Sequence, residues 1–278
     1  MRIHRHAWPA ISLVMFHLVG CSKSVSDAVK PAKATITLQT TTSPRDSGLL
    51  DFLLPKLREQ TGIEVKVVAV GSGQAIENAR RGDGDVVIAH SAEAEKKFID
   101  DGFGISRTPL MENDFIIVGP GSDPAKVKGK TNAIEAFKMM AEAKSPFVSR
   151  SDESGTHVKE KLFWKKATIE PDGDWYVQAG VGMADALRIA DEKQAYLLTD
   201  KGTYLAQKLK LKLVPLVEGD PDLINRYSVI VVSAAKHPSL HQAEATSFAD
   251  FLTTAETKKL IAEFGKEKYG ESLFRPAP

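Results

Sequence analysis

The 278-residue chain predicts an α/β fold of mostly parallel sheets with crossover helices. Two observations carry that class. Short apolar runs alternate with amphipathic segments, and polar turns join them at the spacing of parallel strands and helical crossovers. Clusters of glycine and proline near residues 120 and 220 divide the chain into segments 35–118, 119–220 and 221–278. With the last segment returning to the first, two strands pass between two lobes.

Residues 34–39, where Ile36 and Leu38 alternate with threonine, read as a strand ending in Thr40-Thr41-Thr42-Ser43. Residues 44–48 read as a turn. Residues 49–60 read as a helix with a leucine-rich face, kinked at Pro55 and stopped by Thr61-Gly62. Residues 63–70 form an apolar strand, Gly71-Ser72-Gly73-Gln74 a turn, and 75–81 a helix closed by Gly82. A strand over 85–90, a helix over 92–101 and a strand over 115–118 follow, the last ending at Gly119-Pro120-Gly121. A helix over 134–143 precedes the extended run Pro146-Phe147-Val148, the polar stretch 149–157 and an amphipathic helix over 158–167. Pro171-Asp172-Gly173 reads as a reverse turn between Trp164 and Trp175. The remainder reads as a helix over 184–193, a strand over 195–199, a turn over 200–203 and a strand over 213–217. A loop over 218–225, a strand over 227–233 and a helical tail over 240–264 complete the chain.

Apolar content of 42% and charged content of 26% are those of a soluble globular domain. The formal net charge is +1; without Arg2 and Arg5 of the first twenty residues it is −1, since 35 basic residues then face 36 acidic ones. That balance argues against a nucleic-acid surface, which is visibly basic. The N-terminus is basic at Arg2, His4, Arg5 and His6, then apolar over 10–19, too short to span a bilayer. Leu18-Val19-Gly20-Cys21 resembles the lipobox of bacterial lipoproteins, whose cysteine becomes the lipid-modified first residue. Residues 1–20 are therefore expected to be a lipoprotein signal peptide, Cys21 the lipidated residue, and 21–34, polar and aperiodic, a tether. An ordinary signal peptide with an incidental cysteine is the plainer alternative, and His17 interrupts the apolar core. Cys21 is the only cysteine, so no disulfide forms within the chain.

The stretch 149–157, Ser-Arg-Ser-Asp-Glu-Ser-Gly-Thr-His, joins an extended run to a helix. Unpaired N–H groups and the positive end of the dipole make a helix start attractive to anions. Gly155 admits close backbone approach, Ser154 and Thr156 add neutral donors, and Arg150 adds a permanent charge with a planar fork. A simple helix cap needs only one such hydroxyl. Residues 40–43 and 71–73 repeat the chemistry at the carboxyl ends of two further strands, the edge where open α/β sheets collect ligands. Each is an ordinary turn on its own; three in one chain point to an oxyanion site. No cysteine or histidine cluster suggests a metal.

Several runs are together similar to one family. They are Thr40-Thr41-Thr42-Ser43 with Asp46-Ser47-Gly48, Val70-Gly71-Ser72-Gly73-Gln74, Asn113-Asp114-Phe115, Ser149-Arg150 and Ser154-Gly155-Thr156-His157. Gly173-Asp174-Trp175-Tyr176, Thr199-Asp200 and Val217-Glu218-Gly219-Asp220-Pro221 belong with them. They resemble the tungstate-binding components of ABC transporters, over residues 36–274. The resemblance implies a two-lobed periplasmic binding protein fold of type II, each lobe a mixed, mostly parallel sheet flanked by helices, with the ligand in the interlobe cleft. Lobe 1 is then 35–118 with 221–278, and lobe 2 is 119–220. It implies an oxyanion, tungstate or molybdate, held without any cofactor by Thr41, Thr42, Ser43, Ser72, Arg150, Ser154, Gly155 and Thr156. It also implies capture without chemistry by a monomer, lipid-anchored on the periplasmic or cell-surface side, that delivers the anion to a permease and its ATPase. Ser151 stands where the family usually has glycine, Ser72 where it usually has threonine, and Pro44-Arg45 vary the first turn. None of these removes a donor.

The chemistry of the anion separates the alternatives. Tungstate and molybdate carry two charges and no proton at neutral pH, so their pocket needs only donors. Phosphate is partly protonated and calls for a carboxylate acceptor; Asp46, Asp152 and Glu153 are near in sequence, and Arg-Ser-Asp-x-Ser-Gly-Thr also resembles phosphate-binding proteins. A hydrolase using Ser154, His157 and Asp152 is the remaining alternative, but G-x-S-x-G is absent and triads draw their parts from separate elements. His157 is expected on the first helical turn, making a hydrogen bond behind the site, and His90 is expected as a core or surface histidine. Lys159, Lys161, Lys165 and Lys166 read as a solvated helix face, and Trp164 and Trp175 as packing residues. Mass spectrometry of the membrane fraction checks the anchor: an acylated N-terminal Cys21 is expected, lost in Cys21→Ala, and an unmodified peptide beginning elsewhere contradicts it.

Overall fold

The computed structural model describes residues 32–278; the expected signal peptide, Cys21 and nearly all of the expected tether lie outside them. In chain order, β1 (Ala34–Thr41), α1 (Thr42–Asp46), α2 (Leu49–Thr61), β2 (Ile63–Val70), α3 (Ser72–Arg80), β3 (Val86–Ala89) and α4 (Ala92–Asp100) come first. β4 (Gly104–Gly119) leads to α5 (Ala133–Glu142), β5 (Phe147–Ser149), α6 (Gly155–Ala167) and β6 (Tyr176–Gln178). α7 (Met183–Lys193), β7 (Leu197–Asp200), α8 (Lys201–Gln207) and β8 (Val214–Val217) follow. The chain returns through β9 (Ile224–Val232) to α9 (Gln242–Thr253), α10 (Ala255–Glu263), α11 (Lys266–Tyr269) and β10 (Arg275–Pro276).

Two sheets share β4. The first has the order β2-β1-β3-β9-β4-β10, with β1 parallel to β2 and β3, and β9 antiparallel to β3 and β4. Residues Gly104 to Asp114 of β4 pair with β9, whereas Phe115 to Gly119 pair antiparallel with β7 and β8 in the second sheet. The burial pattern changes at that point. The first part of β4 alternates between covered and open positions, and the last five residues are all buried. β5 and β6 form a small parallel pair, and Phe147 bridges to Tyr196 beside β7. The mixed α/β fold in two lobes follows from β4 running through both sheets, while β9 returns the chain to the first.

Apolar alternation fixes the register. Ile36 and Leu38 of β1 are fully buried with Val86, Ile88, Val229 and Val231 of its neighbours, under Leu49, Leu53 and Leu57 of α2. A second cluster joins Phe115 and Ile117 of β4 to Phe137, Phe147, Phe163, Trp164 and Tyr196. Burying one such side chain contributes about 1.5–3 kcal/mol.

Local readings differ at several places, beginning with β4, which starts at Gly104 where a strand is expected only over 115–118, and with β6 and β10, which are not expected. Residues 44–48 are not a simple turn: Thr42 to Asp46 form the short helix α1, which Gly48 (φ 83°) ends before α2 begins. Residues 200–203 likewise open α8, because the Asp200 carboxylate accepts the Thr203 N–H at 2.8 Å and caps a helix. The tail is two main helices separated at Thr254, whose hydroxyl caps α10.

Asp85, buried just before β3, ties three elements together. Its carboxylate accepts the Thr37 N–H of β1 at 2.6 Å and the His241 N–H before α9 at 2.7 Å, and its carbonyl accepts from Val232. Asp85→Ala strands two amides at the sheet end and is expected to lower stability by about 1–3 kcal/mol in urea unfolding. An unchanged midpoint contradicts this role.

Candidate functional site

The polar stretch after β5 is shaped by what lies beneath it. Trp164 of α6 packs edge-on against Phe137 at 4.4 Å and Phe147 at 5.2 Å between ring centroids, fixing the helix against the strand. Ser149 and Arg150 carbonyls accept from the Ala179 and Val181 amides at 3.0 and 3.2 Å. The backbone then turns through Ser151 (φ 49°) and Glu153 (φ 55°) into Ser154, whose Oγ accepts the His157 N–H at 3.3 Å and caps α6. The Gly155 and Thr156 amides lie in the first turn, where no helical carbonyl reaches them. The Arg150 side chain crosses this turn: one terminal nitrogen pairs with Asp152 and the other approaches Thr156 Oγ1 at 3.5 Å.

The opposite wall comes from the carboxyl ends of β1, β2 and β3. Thr41 ends β1, and Ser43 Oγ donates to Asp200 at 3.0 Å. Ser72 opens α3 with its Oγ accepting the His90 N–H at 3.4 Å. The two walls meet closely: a methyl group placed on Gly71 would stand 3.2 Å from Ser154 Cα, and one on Gly155 only 2.3 Å from His90 Cε1. A side chain at Gly71 would need its neighbour to give by a few tenths of an ångström, and one at Gly155 would have to displace the His90 ring. Asn225 of β9 bridges below, donating to Asn113 Oδ1 of β4 at 2.8 Å and to Tyr227 OH at 3.1 Å. Thr41 and Ser43 lie against Tyr227, whose ring centroid is 4.8 Å from that of His90.

Thr41, Ser43, Ser72, Arg150, Ser154, Gly155 and Thr156 are thus all buried along one seam, while Thr42 is half-exposed and makes no side-chain hydrogen bond among the described residues. Thr40, His90, Asn113, Asp200, Asn225 and Tyr227 join them without having been singled out as anion contacts. Burial pushes the Asp200 carboxyl up, against the opposing pull of Thr203, Ser43 and Arg150. Burial and then the Arg150 charge hold His90 down to about 4, against the opposing pull of the Asn225 side chain as an acceptor, so its ring is neutral at pH 7. Among the described residues, the buried atoms Thr40 Oγ1, Thr41 Oγ1, Asn113 Nδ2, Ser149 Oγ and Arg150 Nε have no hydrogen-bond partner, and no group of acids, histidines or cysteines could hold a metal.

The carboxylates nearby are occupied. Asp46 pairs with Arg45, Glu153 with Lys161, and Asp152 with Arg150 and the Ser154 N–H. Asp200 accepts from Ser43 and twice from Thr203. His157 is on the first helical turn as expected, its Nδ1 accepting the Glu153 N–H at 3.1 Å. That nitrogen is taken by the Glu153 amide, and Ser154 Oγ is engaged by the His157 amide. Trp164 and Trp175 pack edge-on at 5.8 Å.

A family model for the PBP superfamily domain matches residues 26–256. The tungstate-binding protein TupA of Peptoclostridium acidaminophilum is 45% identical over 273 residues, covering 96% of each chain. The chain belongs to the TupA family of tungstate-binding proteins, within the PBP superfamily. TupA of Campylobacter jejuni is 41% identical over 227 residues, 80% of this chain and 84% of its own. The crystal structure of the tungstate ABC transporter from Geobacter sulfurreducens superposes with a TM-score of 0.77 at 44% identity, covering 83% of this chain and 98% of that one. TupA from Desulfovibrio alaskensis G20 gives 0.76 at 41% identity, over 88% and 99%. Within the TupA family pattern, the left-handed backbone at Ser151 gives the usual glycine there a physical reason. Here a serine takes that conformation and donates to Gln178 Oε1 at 3.1 Å.

Beneath this TupA-family cradle, Glu160 of α6 is buried and accepts from Trp164 Nε1 at 3.1 Å and Tyr176 OH at 2.7 Å, both on Oε1. Burial pushes its carboxyl up from 4.5 to about 7, against those donors. Between these values the folded state holds a proton that the unfolded state has released, so stability falls as pH rises through that window. Glu160→Gln keeps Oε1 and removes the titration. Its stability is expected to vary less from about pH 4.5 to 7 and to exceed wild type by roughly 2–3 kcal/mol at the upper end in pH-dependent urea unfolding. Parallel profiles contradict it.

Proposed function

We propose that this chain captures a doubly charged tetrahedral oxyanion, tungstate or the similarly sized molybdate, between its lobes and hands it to a permease driven by a cytoplasmic ATPase. The observation that carries this reading is the excess of buried donors: Thr41 Oγ1, Asn113 Nδ2 and Arg150 Nε have no partner among the described residues, while the surrounding carboxylates already accept. An anion without a proton satisfies such a set; a protonated phosphate would bring a donor to carboxylates already engaged. The relatives that carry the name tungstate-binding protein support the same choice.

In this reading Thr41, Ser72, Arg150, Ser154 and Thr156 donate from their side chains, and Thr42, Ser43 and Gly155 contribute their backbone amides. Lobe 1 comprises 35–118 with 221–278 and lobe 2 comprises 119–220, with the passage between them inside β4 and at the start of β9. The protein works as a monomer on the periplasmic or cell-surface side, and among the described residues no helix is long and apolar enough to cross a membrane. Residues 1–20 direct export, Cys21 carries the lipid, and 21–34 tether the fold. It is not an enzyme: Ser154 has no base, and Asp152 serves Arg150 rather than His157.

Calorimetric titration tests the assignment. Tungstate and molybdate are expected to bind far above sulfate and phosphate. Arg150→Ala is expected to weaken tungstate binding by about 2–5 kcal/mol, and Arg150→Lys by less, since it keeps the charge and loses the fork. A protein that prefers phosphate, or an Arg150→Ala variant that binds tungstate unchanged, overturns it.

A further inference from the structure

Anion capture as described makes no use of the His90 side chain. The residue is nevertheless held at both backbone and ring: its backbone N–H donates to Ser72 Oγ at 3.4 Å, and Tyr227 packs beside the imidazole at 4.8 Å between centroids. Its remaining face meets Gly155 on the far side of the seam. A methyl group on Gly155 would stand 2.3 Å from Cε1, 2.8 Å from Nδ1 and 2.9 Å from Nε2, so the imidazole lies flat over the glycine, closer than a side chain there would permit. Next to it, a methyl group on Gly71 would stand 3.2 Å from Ser154 Cα. Gly71 precedes Ser72, and Gly155 stands between Ser154 and Thr156. These contacts therefore fix how far apart the donors of the two walls are held.

We propose that His90 determines the size of anion the site accepts: its ring, seated on the bare face of Gly155, is the spacer that stops the cleft at the width of a tungstate-sized tetrahedron. This rests on the oxyanion-binding reading above. A packed ring does not thin under compression, so its thickness sets a limit that hydroxyl donors, free to rotate, cannot set. Removing the ring lets the walls approach and favours a smaller dianion. Enlarging Gly155 wedges them apart and penalises every anion.

The test is calorimetric titration of wild type, His90→Ala, Gly155→Ala and the double variant with tungstate and with sulfate. Alanine is the better helix former, so lost affinity in Gly155→Ala does not come from helix propensity. Gly155→Ala is expected to weaken tungstate binding by about tenfold or more, as overpacking does. The double variant is expected to recover to within about threefold of His90→Ala, the mark of a direct contact. His90→Ala alone is expected to narrow the tungstate-over-sulfate preference by about tenfold, with sulfate gaining. Gly155→Ala that binds like wild type, or His90→Ala with an unchanged preference, overturns the spacer and leaves oxyanion binding standing. A wild-type chain that holds neither anion overturns both.

Discussion

A buried guanidinium is the constraint on which the rest of the site depends. Arg150 is 4% exposed, and a charge so far removed from water must be met by opposite charge and acceptors. Asp152 meets one terminal nitrogen, Thr156 Oγ1 lies 3.5 Å from the other, and Nε has no partner among the described residues. The protein holds the group there through its backbone: Val181 donates to the Arg150 carbonyl, and the edge-on ring of Trp164 fixes α6 against β5. Asp152 meets one end of the fork, and an anion placed against Nε supplies the acceptor that this nitrogen lacks.

The hydroxyls are oriented by what they already accept. Ser72 Oγ takes the His90 amide and Ser154 Oγ takes the His157 amide, so each keeps its own proton free to give. Ser43 is the reverse case: its proton goes to Asp200, which makes its amide the group available for an anion. Asp200 supplies a carboxylate near the pocket without offering it, because Thr203 and Ser43 occupy both oxygens. Selectivity for an anion without protons then follows from hydrogen-bond direction as well as charge.

Much of this was readable from local patterns. The alternation in β1, the capping serine of α6 and the hydroxyl turns at strand ends are short-range signals, and each falls where the chain order placed it. Long-range pairing hid the rest. Pro109 and the polar residues of the first part of β4 disguise a sixteen-residue strand whose register shifts twice against β9. Asp200 read as a turn residue although its capping partner Thr203 is only three positions on; Ser43, far away in sequence, meets it only in the fold. His90 follows β3, Asn113 lies inside β4 and Asn225 near the start of β9, and only the fold brings them to one seam.

The most direct measurement is a crystal structure of the protein grown with tungstate, with tungsten located by its anomalous scattering. The account places the metal centre among Thr41, Ser72, Arg150, Ser154 and Thr156, with oxygens about 2.7–3.2 Å from Arg150 Nε and Thr41 Oγ1. Tungsten outside that ring, or inside it with Arg150 Nε and Thr41 Oγ1 still unengaged, would contradict it.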